Sequence, residues 1–149
     1  MKRDLTAVTV PDEFSVRPVL PLRVVTTPPR VLVVEDDEEM RAWLEETLRE
    51  AGYVTTSAGD PLSAVFALFG NGVDAIVTDW RMPAMDGVAL LDAVRRCSPE
   101  IPVIFVTAFP DDQLRTTAME HGAFCFLAKP FRGSQLVELV RSALDSRAA

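Results

Sequence analysis

The stretch Arg30-Val31-Leu32-Val33-Val34-Glu35-Asp36-Asp37-Glu38-Glu39 decides the fold. Its aliphatic run shows no polar alternation, so it suits a strand buried on both faces, as the strands of a parallel sheet are. The run stops abruptly at carboxylates, which places Glu35 and Asp36 at the carboxyl end of that strand. Asp37, Glu38 and Glu39 read as the acidic first turn of a helix, where the macrodipole favours negative charge. Met40, Trp43, Leu44, Leu48 and Ala51 then fall on one helical face, and Gly52 ends it.

The same alternation repeats along the chain. Tyr53 to Ser57 is a short β-rich run, and Asp60-Pro61 is an N-cap and N1 pair. They open a helix expected to bury Leu62, Val65, Phe66 and Phe69, with Asn71-Gly72 as its stop. Val73 to Thr78 is a second clear buried strand, ending at Asp79. Val88, Leu91 and Val94 line a third helix after Asp86-Gly87, where Gly87 allows close backbone approach. Ile101 to Val106 ends at Thr107, and a helix capped by Asp111 or Asp112 runs to His121-Gly122. Ala123 to Ala128 ends at Lys129-Pro130. A last helix carries Leu136, Leu139, Val140, Ala143 and Leu144. Strand and helix alternate five times, which predicts a doubly wound parallel α/β sheet with helices on both faces. Trp43, Cys97 and Cys125 are assigned to its core, and Trp80 to packing beside Asp79.

Composition narrows the class. The chain has 149 residues, 48% hydrophobic and 25% charged, with a net charge of −7, which is one domain with ample apolar content for a core. Two isolated cysteines argue against a zinc site or a disulfide framework. No basic segment followed by an apolar one opens the chain, and no apolar run approaches the ~20 residues of a membrane span. A soluble, cytoplasmic protein is the expectation, without direct nucleic-acid binding, because phosphate neutralisation needs a basic face. Residues 1–29 hold five of the eleven prolines and no sustained period. They are expected to form an extended or disordered arm, with the domain at 30–149.

The strand-terminal residues are Glu35-Asp36, Asp79, Thr107 and Lys129. In a parallel sheet they share one edge, and with strand order 2-1-3-4-5 the first and third strands are neighbours at the switch point, where ligands bind. Three carboxylates gathered there need a cation, and hard oxygen donors favour Mg²⁺ accompanied by a phosphate oxygen. Asp79 is placed as the nucleophile, Lys129 as a mobile charge for phosphate oxygens, and Thr107 as a hydroxyl donor. Lys2 and Lys129 are the only lysines among fifteen basic residues, so the single lysine of the domain stands where the site needs an ammonium.

From about Arg30 onward the chain resembles the receiver domain of two-component response regulators. The resemblance rests on Val33-Val34-Glu35-Asp36-Asp37, Asp79-Trp80-Arg81-Met82-Pro83, Met85-Asp86-Gly87, Val106-Thr107-Ala108 and Lys129-Pro130-Phe131, in that order. It implies a flavodoxin-like (βα)5 fold and a phosphoacceptor, Asp79, served by a histidine kinase or histidine phosphotransfer protein. It also implies Mg²⁺ held by Glu35, Asp36, Asp79 and the backbone carbonyl of Arg81. Thr107 and Lys129 would bind phosphoryl oxygens, a cis Lys129-Pro130 bond would aim the lysine, and Thr107 and Phe126 would be the switch pair. Phe126 departs from the commoner Tyr and lacks its hydroxyl. Arg81 and Phe109 stand at positions that tune phosphoryl lifetime. The chain ends soon after the last helix, so a stand-alone receiver is expected. Its output would pass to an unknown downstream protein, as a monomer or a phosphorylation-dependent dimer, and it would turn over no separate substrate. The alternatives are an aspartyl-nucleophile phosphohydrolase, whose nucleophile would follow the first strand in a DxD run, and an unphosphorylated adaptor on the same fold.

Overall fold

Val31 to Val34 are each fully shielded from solvent, because strand β1 (Arg30–Val34) lies inside the sheet with a neighbour on either side. The computed structural model describes residues 27–70, 72–82 and 85–148. In chain order β1 is followed by α1 (Glu38–Glu50), β2 (Val54–Ala58), α2 (Pro61–Gly70), β3 (Ala75–Asp79), α3 (Gly87–Cys97), β4 (Val103–Thr107), α4 (Asp112–Glu120), β5 (Cys125–Ala128) and α5 (Gly133–Ala148). The five strands are all parallel in the order β2-β1-β3-β4-β5, which is the flavodoxin-like sheet expected from the alternation. A two-residue antiparallel ribbon, Arg81–Met82 against Asp86–Met85, bridges β3 and α3. The expected arm falls largely on residues 1–26, which lie outside the described residues.

Alternating strand side chains feed two separate cores. One contains Leu32, Val34, Ile76 and Phe105 beneath α2, α3 and α4, and the other contains Val31, Val33, Val77 and Ile104 beneath α1 and α5. Asp37 caps α1 by accepting from the Glu39 N–H, Asp111 caps α4 from the Leu114 N–H, and Asp60 accepts from the Ser63 N–H. Those bonds satisfy donors that helix starts leave open. His121 caps the end of α4 and meets Asp92 at 3.0 Å.

The strands begin later than the apolar runs suggest. β4 starts at Val103, not Ile101, because Pro102 has no N–H to donate; its carbonyl still accepts from Ile76. Three assignments to the core are corrected. Helix α2 turns Pro61, Ala64 and Ala67 inward, leaving Leu62, Phe66 and Phe69 65%, 68% and 70% exposed. Small side chains let the helix approach Leu32, Val34 and Ala58, and its lack of any charged residue removes the polar stripe that marks a solvent side. Trp43 is 40% exposed: Leu44 and Leu48 take the inward face of α1, and Trp43 lies against Phe131 with ring centroids 5.7 Å apart. Cys97 is exposed at the last position of α3, whereas Cys125 is half-buried against the α1–α5 core.

Candidate functional site

Register builds the site. Val34 pairs with Thr78, which sets Glu35 level with Asp79 across β1 and β3. Thr107 pairs with Ala128, so Lys129 stands one step above Thr107, and the Lys129 N–H donates to the Thr107 carbonyl at 2.8 Å. Residues far apart in sequence therefore meet at the carboxyl edge.

Glu35, Asp36 and Asp79 each offer an oxygen within 4.8 Å of the others. Glu35 is only 1% exposed. Burial pushes its carboxyl above the ordinary 4.5, and the Asp79 charge adds to that, against the lowering by Lys129 and the Asp37 N–H. The Lys129 ammonium lies 3.0 Å from Glu35 Oε1 and 3.5 Å from Asp79 Oδ2. It is the cation that lets two carboxylates share this edge. The Asp37 N–H donates to Glu35 Oε2 at 3.2 Å, and the Arg81 N–H to Asp79 Oδ1 at 3.3 Å. Thr107 is buried at the end of β4, its Oγ1 accepting from the Phe109 N–H at 3.2 Å. The Lys129-Pro130 bond is cis. Among the candidates, Glu35, Asp36, Asp79 and Lys129 are drawn into one cluster. Thr107 joins them through Lys129, and Arg81 contributes its N–H.

Three oxygen donors of this hardness, beside an ammonium that already tempers their repulsion, suit a small divalent cation that keeps several waters. The residues present fit Mg²⁺.

Sequence reasoning missed two supports. Arg41 Nη1 donates to the Glu35 carbonyl at 2.7 Å, and a Cβ on Gly59 would come within 2.8 Å of that same nitrogen. Nothing in the spacing marks an Arg in α1 as part of the site. Below the cluster, Trp80 lies 4.8 Å from Phe105 in a T-shaped pair and 5.7 Å from Phe126, with Phe105 and Phe126 6.0 Å apart. Phe126 is buried, with Arg115 5.9 Å above its ring. Gly87 makes this packing possible, since a Cβ there would sit 2.6 Å from Trp80 Cε3. At the rim, the Arg81 guanidinium covers the exposed Phe109 ring at 5.2 Å.

Residues 31–141 match the family described as response regulator receiver domain. The chain is 39% identical over 121 residues to the transcriptional regulatory protein PrrA of Mycobacterium tuberculosis, covering 81% of this chain and 52% of that protein. It is 34% identical over 119 residues to the C4-dicarboxylate transport transcriptional regulatory protein DctD of Rhizobium meliloti, covering 80% of this chain and 26% of the relative. The chain thus spans between about a quarter and about half the length of these curated relatives. Among solved structures, the receiver domain of the Francisella response regulator 1452 superposes with a TM-score of 0.74 at 32% identity, covering 79% of this chain and 98% of that one. The chain belongs to the receiver domain family of two-component response regulators.

Proposed function

We propose that Asp79 accepts a phosphoryl group from the phosphohistidine of a histidine kinase or histidine phosphotransfer protein. The observation that carries this reading is the Lys129 ammonium held between Glu35 and Asp79 at an edge where three carboxylates gather. One Asp79 oxygen attacks phosphorus, the P–N bond breaks, and its electron pair leaves with the imidazole nitrogen, producing an aspartyl phosphate. Lys129 and the Thr107 hydroxyl hold the phosphoryl oxygens. The Arg81 N–H keeps Asp79 oriented. Glu35, Asp36, Asp79 and the Arg81 carbonyl would hold Mg²⁺, which when bound neutralises charge on the transferring group.

The output is a shift between two conformations of the face formed by α4, β5 and α5, with Thr107 and Phe126 as the switch pair. The domain is assigned to 30–149. It processes no separate substrate and catalyses only its own phosphorylation and slow dephosphorylation. The relatives named as transcriptional regulators are longer chains; this acidic domain is assigned a downstream protein and no direct nucleic-acid contact, acting as a monomer or a phosphorylation-dependent dimer. No helix among the described residues is long and apolar enough to cross a membrane, and we place the protein in the cytoplasm.

Acetyl phosphate with Mg²⁺ tests the chemistry by intact mass. One added phosphoryl group on the wild type, absent from Asp79→Asn and from an EDTA control, is the expected result. An adduct that survives Asp79→Asn rejects Asp79 as the acceptor. Steady turnover of a small phosphomonoester rejects the switch in favour of a hydrolase.

A further inference from the structure

Three hydrogen bonds join Glu35, Asp37 and Arg41 in a ring that closes the turn from β1 into α1. The Asp37 N–H donates to Glu35 Oε2 at 3.2 Å, the Arg41 N–H donates to the Asp37 carbonyl at 2.8 Å, and Arg41 Nη1 returns to the Glu35 carbonyl at 2.7 Å. Toward β2, the Glu35 N–H donates to the Ala58 carbonyl at 3.0 Å, which continues the parallel ladder one step past Val34 and Ala58. A parallel ladder would next supply the Glu35 carbonyl with an N–H from the neighbouring strand. The chain instead turns away at Gly59 toward α2, where Asp60 accepts from the Ser63 N–H. The guanidinium takes that donor's place.

Gly59 admits it. A Cβ there would come within 2.8 Å of Arg41 Nη1 and 3.6 Å of its Cζ. The φ of Gly59 lies outside the left-handed region, so the space, and not the backbone conformation, calls for glycine.

Asp36 is the residue the ring controls. Its carboxylate is exposed and has no hydrogen-bond or ion-pair partner among the described residues. Glu35 and Asp79, by contrast, are held by Lys129 and by backbone N–H groups. Asp36 takes its direction from the two peptide planes that flank it. Arg41 fixes the first through the Glu35 carbonyl, and the Asp37 N–H fixes the second through Glu35 Oε2. The guanidinium itself pairs with no carboxylate among the described residues.

We infer that Arg41, seated against Gly59, is a positioning residue for the divalent cation: it orients Asp36 toward Glu35 and Asp79 and so raises the affinity for Mg²⁺. The inference rests on the Mg²⁺ site proposed above. Its sign separates orientation from charge. A guanidinium acting only through its charge repels a cation, so its removal would tighten binding. One that orients a ligand weakens binding when it is lost, and partners of this kind typically change metal affinity by about 10–100-fold.

Calorimetric titration of the full chain with magnesium chloride tests it. The proteins are the wild type, Arg41→Met, Gly59→Ala and the double variant, with melting temperatures recorded in EDTA. Arg41→Met and Gly59→Ala should each raise the dissociation constant about tenfold, although Gly59→Ala keeps the charge at position 41. The double variant should bind no more weakly than either single one, since both changes remove the same bond. Equal affinities overturn the inference even where the melting temperature falls, because Arg41 is then a brace for the turn alone. Tighter binding by Arg41→Met, with Gly59→Ala unchanged, overturns it in favour of charge. Losses that add in the double variant overturn the pairing of Arg41 with Gly59. A wild type that takes up no Mg²⁺ refutes the metal site and the inference with it, a result distinct from equal binding by all four proteins.

Discussion

Lys129→Met removes the ammonium from a site built around it while preserving side-chain length. Glu35, 1% exposed, then loses its 3.0 Å ion pair and keeps only the Asp37 N–H donor beside the Asp79 charge. A buried carboxylate in that position takes up a proton, so the destabilisation has a ceiling. Holding Glu35 neutral at pH 7 against an ordinary value of 4.5 costs at most roughly 3.4 kcal/mol, at about 1.4 kcal/mol per pH unit. The wild type already carries part of this, because burial raises Glu35 even with the lysine present. The expected difference, that of a charge-assisted hydrogen bond lost from a buried acceptor, is about 2 kcal/mol at pH 7, or a melting temperature lower by roughly 8 °C. The sign with pH follows from the direction of the shift. A carboxyl raised in the folded state binds its proton more tightly there than in the unfolded chain, so stability declines as pH rises above 4.5 toward the folded value. The two proteins should then converge near pH 4.5 and diverge upward. Urea unfolding in EDTA at pH 5, 6 and 7.5 reads the gap directly. Mg²⁺ at ten times its dissociation constant should stabilise either protein by roughly 1.4 kcal/mol. A gap independent of pH, or below about 0.5 kcal/mol at pH 7.5, refutes the coupling of Lys129 to a buried, charged Glu35.

Gly87→Ala should lower stability by roughly 1–3 kcal/mol through overpacking against Trp80, with an altered near-ultraviolet aromatic signal; an unchanged melting temperature would show the indole free to retreat. In native protein at pH 8 one thiol, Cys97, should react quickly with a disulfide reagent. Burial lifts the Cys125 thiol to about 11, leaving roughly a thousandth as thiolate, so two equally fast thiols would contradict its packing. Replacing both Arg81 and Phe109 by Ala should shorten the aspartyl-phosphate half-life two- to fivefold, the equivalent of an exposed cation–π contact of ~0.5–1 kcal/mol. A decay rate equal to wild type would separate the pair from water access.

The sheet and its edge were legible because each strand run stops at a residue unlike itself. An aliphatic run ending in Glu35-Asp36, or Val106-Thr107 after buried residues, announces both the strand and the place where its polar end emerges. Helix α2 was not legible. Its stripe Leu62, Phe66 and Phe69 has a good helical period, and so does its Pro61, Ala64 and Ala67 face. Without a charge to mark the wet side, periodicity cannot choose between them. Trp43 misled for a different reason: α1 is richly charged, but Trp43 lies one position from Leu44 on a helix whose inward arc is narrow. Arg41 carried no signal at all: its hydrogen bond to the Glu35 carbonyl depends on the path of the β2–α2 loop at Gly59, which is a tertiary fact.

The aromatic cluster explains how chemistry at Asp79 could reach a distant face. Trp80 follows Asp79 directly and cannot retreat toward α3, because Gly87 leaves it no space. It abuts both Phe105 and Phe126, which are paired across β4 and β5. Thr107, two residues after Phe105, is bonded through its hydroxyl to the Phe109 N–H and through its carbonyl to Lys129. A phosphoryl oxygen that drew the Thr107 hydroxyl toward Asp79 would release the Phe109 N–H and open room beside Phe126. On the proposed reading, the energy available for the shift is the difference between those two hydrogen-bonding arrangements. A charge-assisted bond exceeds a neutral one by roughly 0.5–2 kcal/mol, enough to move a two-state balance by about two- to thirtyfold. Because Phe126 has no hydroxyl, its outward position gains no hydrogen bond at the surface. The inward stack against Trp80 and Phe105 therefore competes with no surface hydrogen bond, and Phe126→Tyr should populate the outward state more readily than the wild type does.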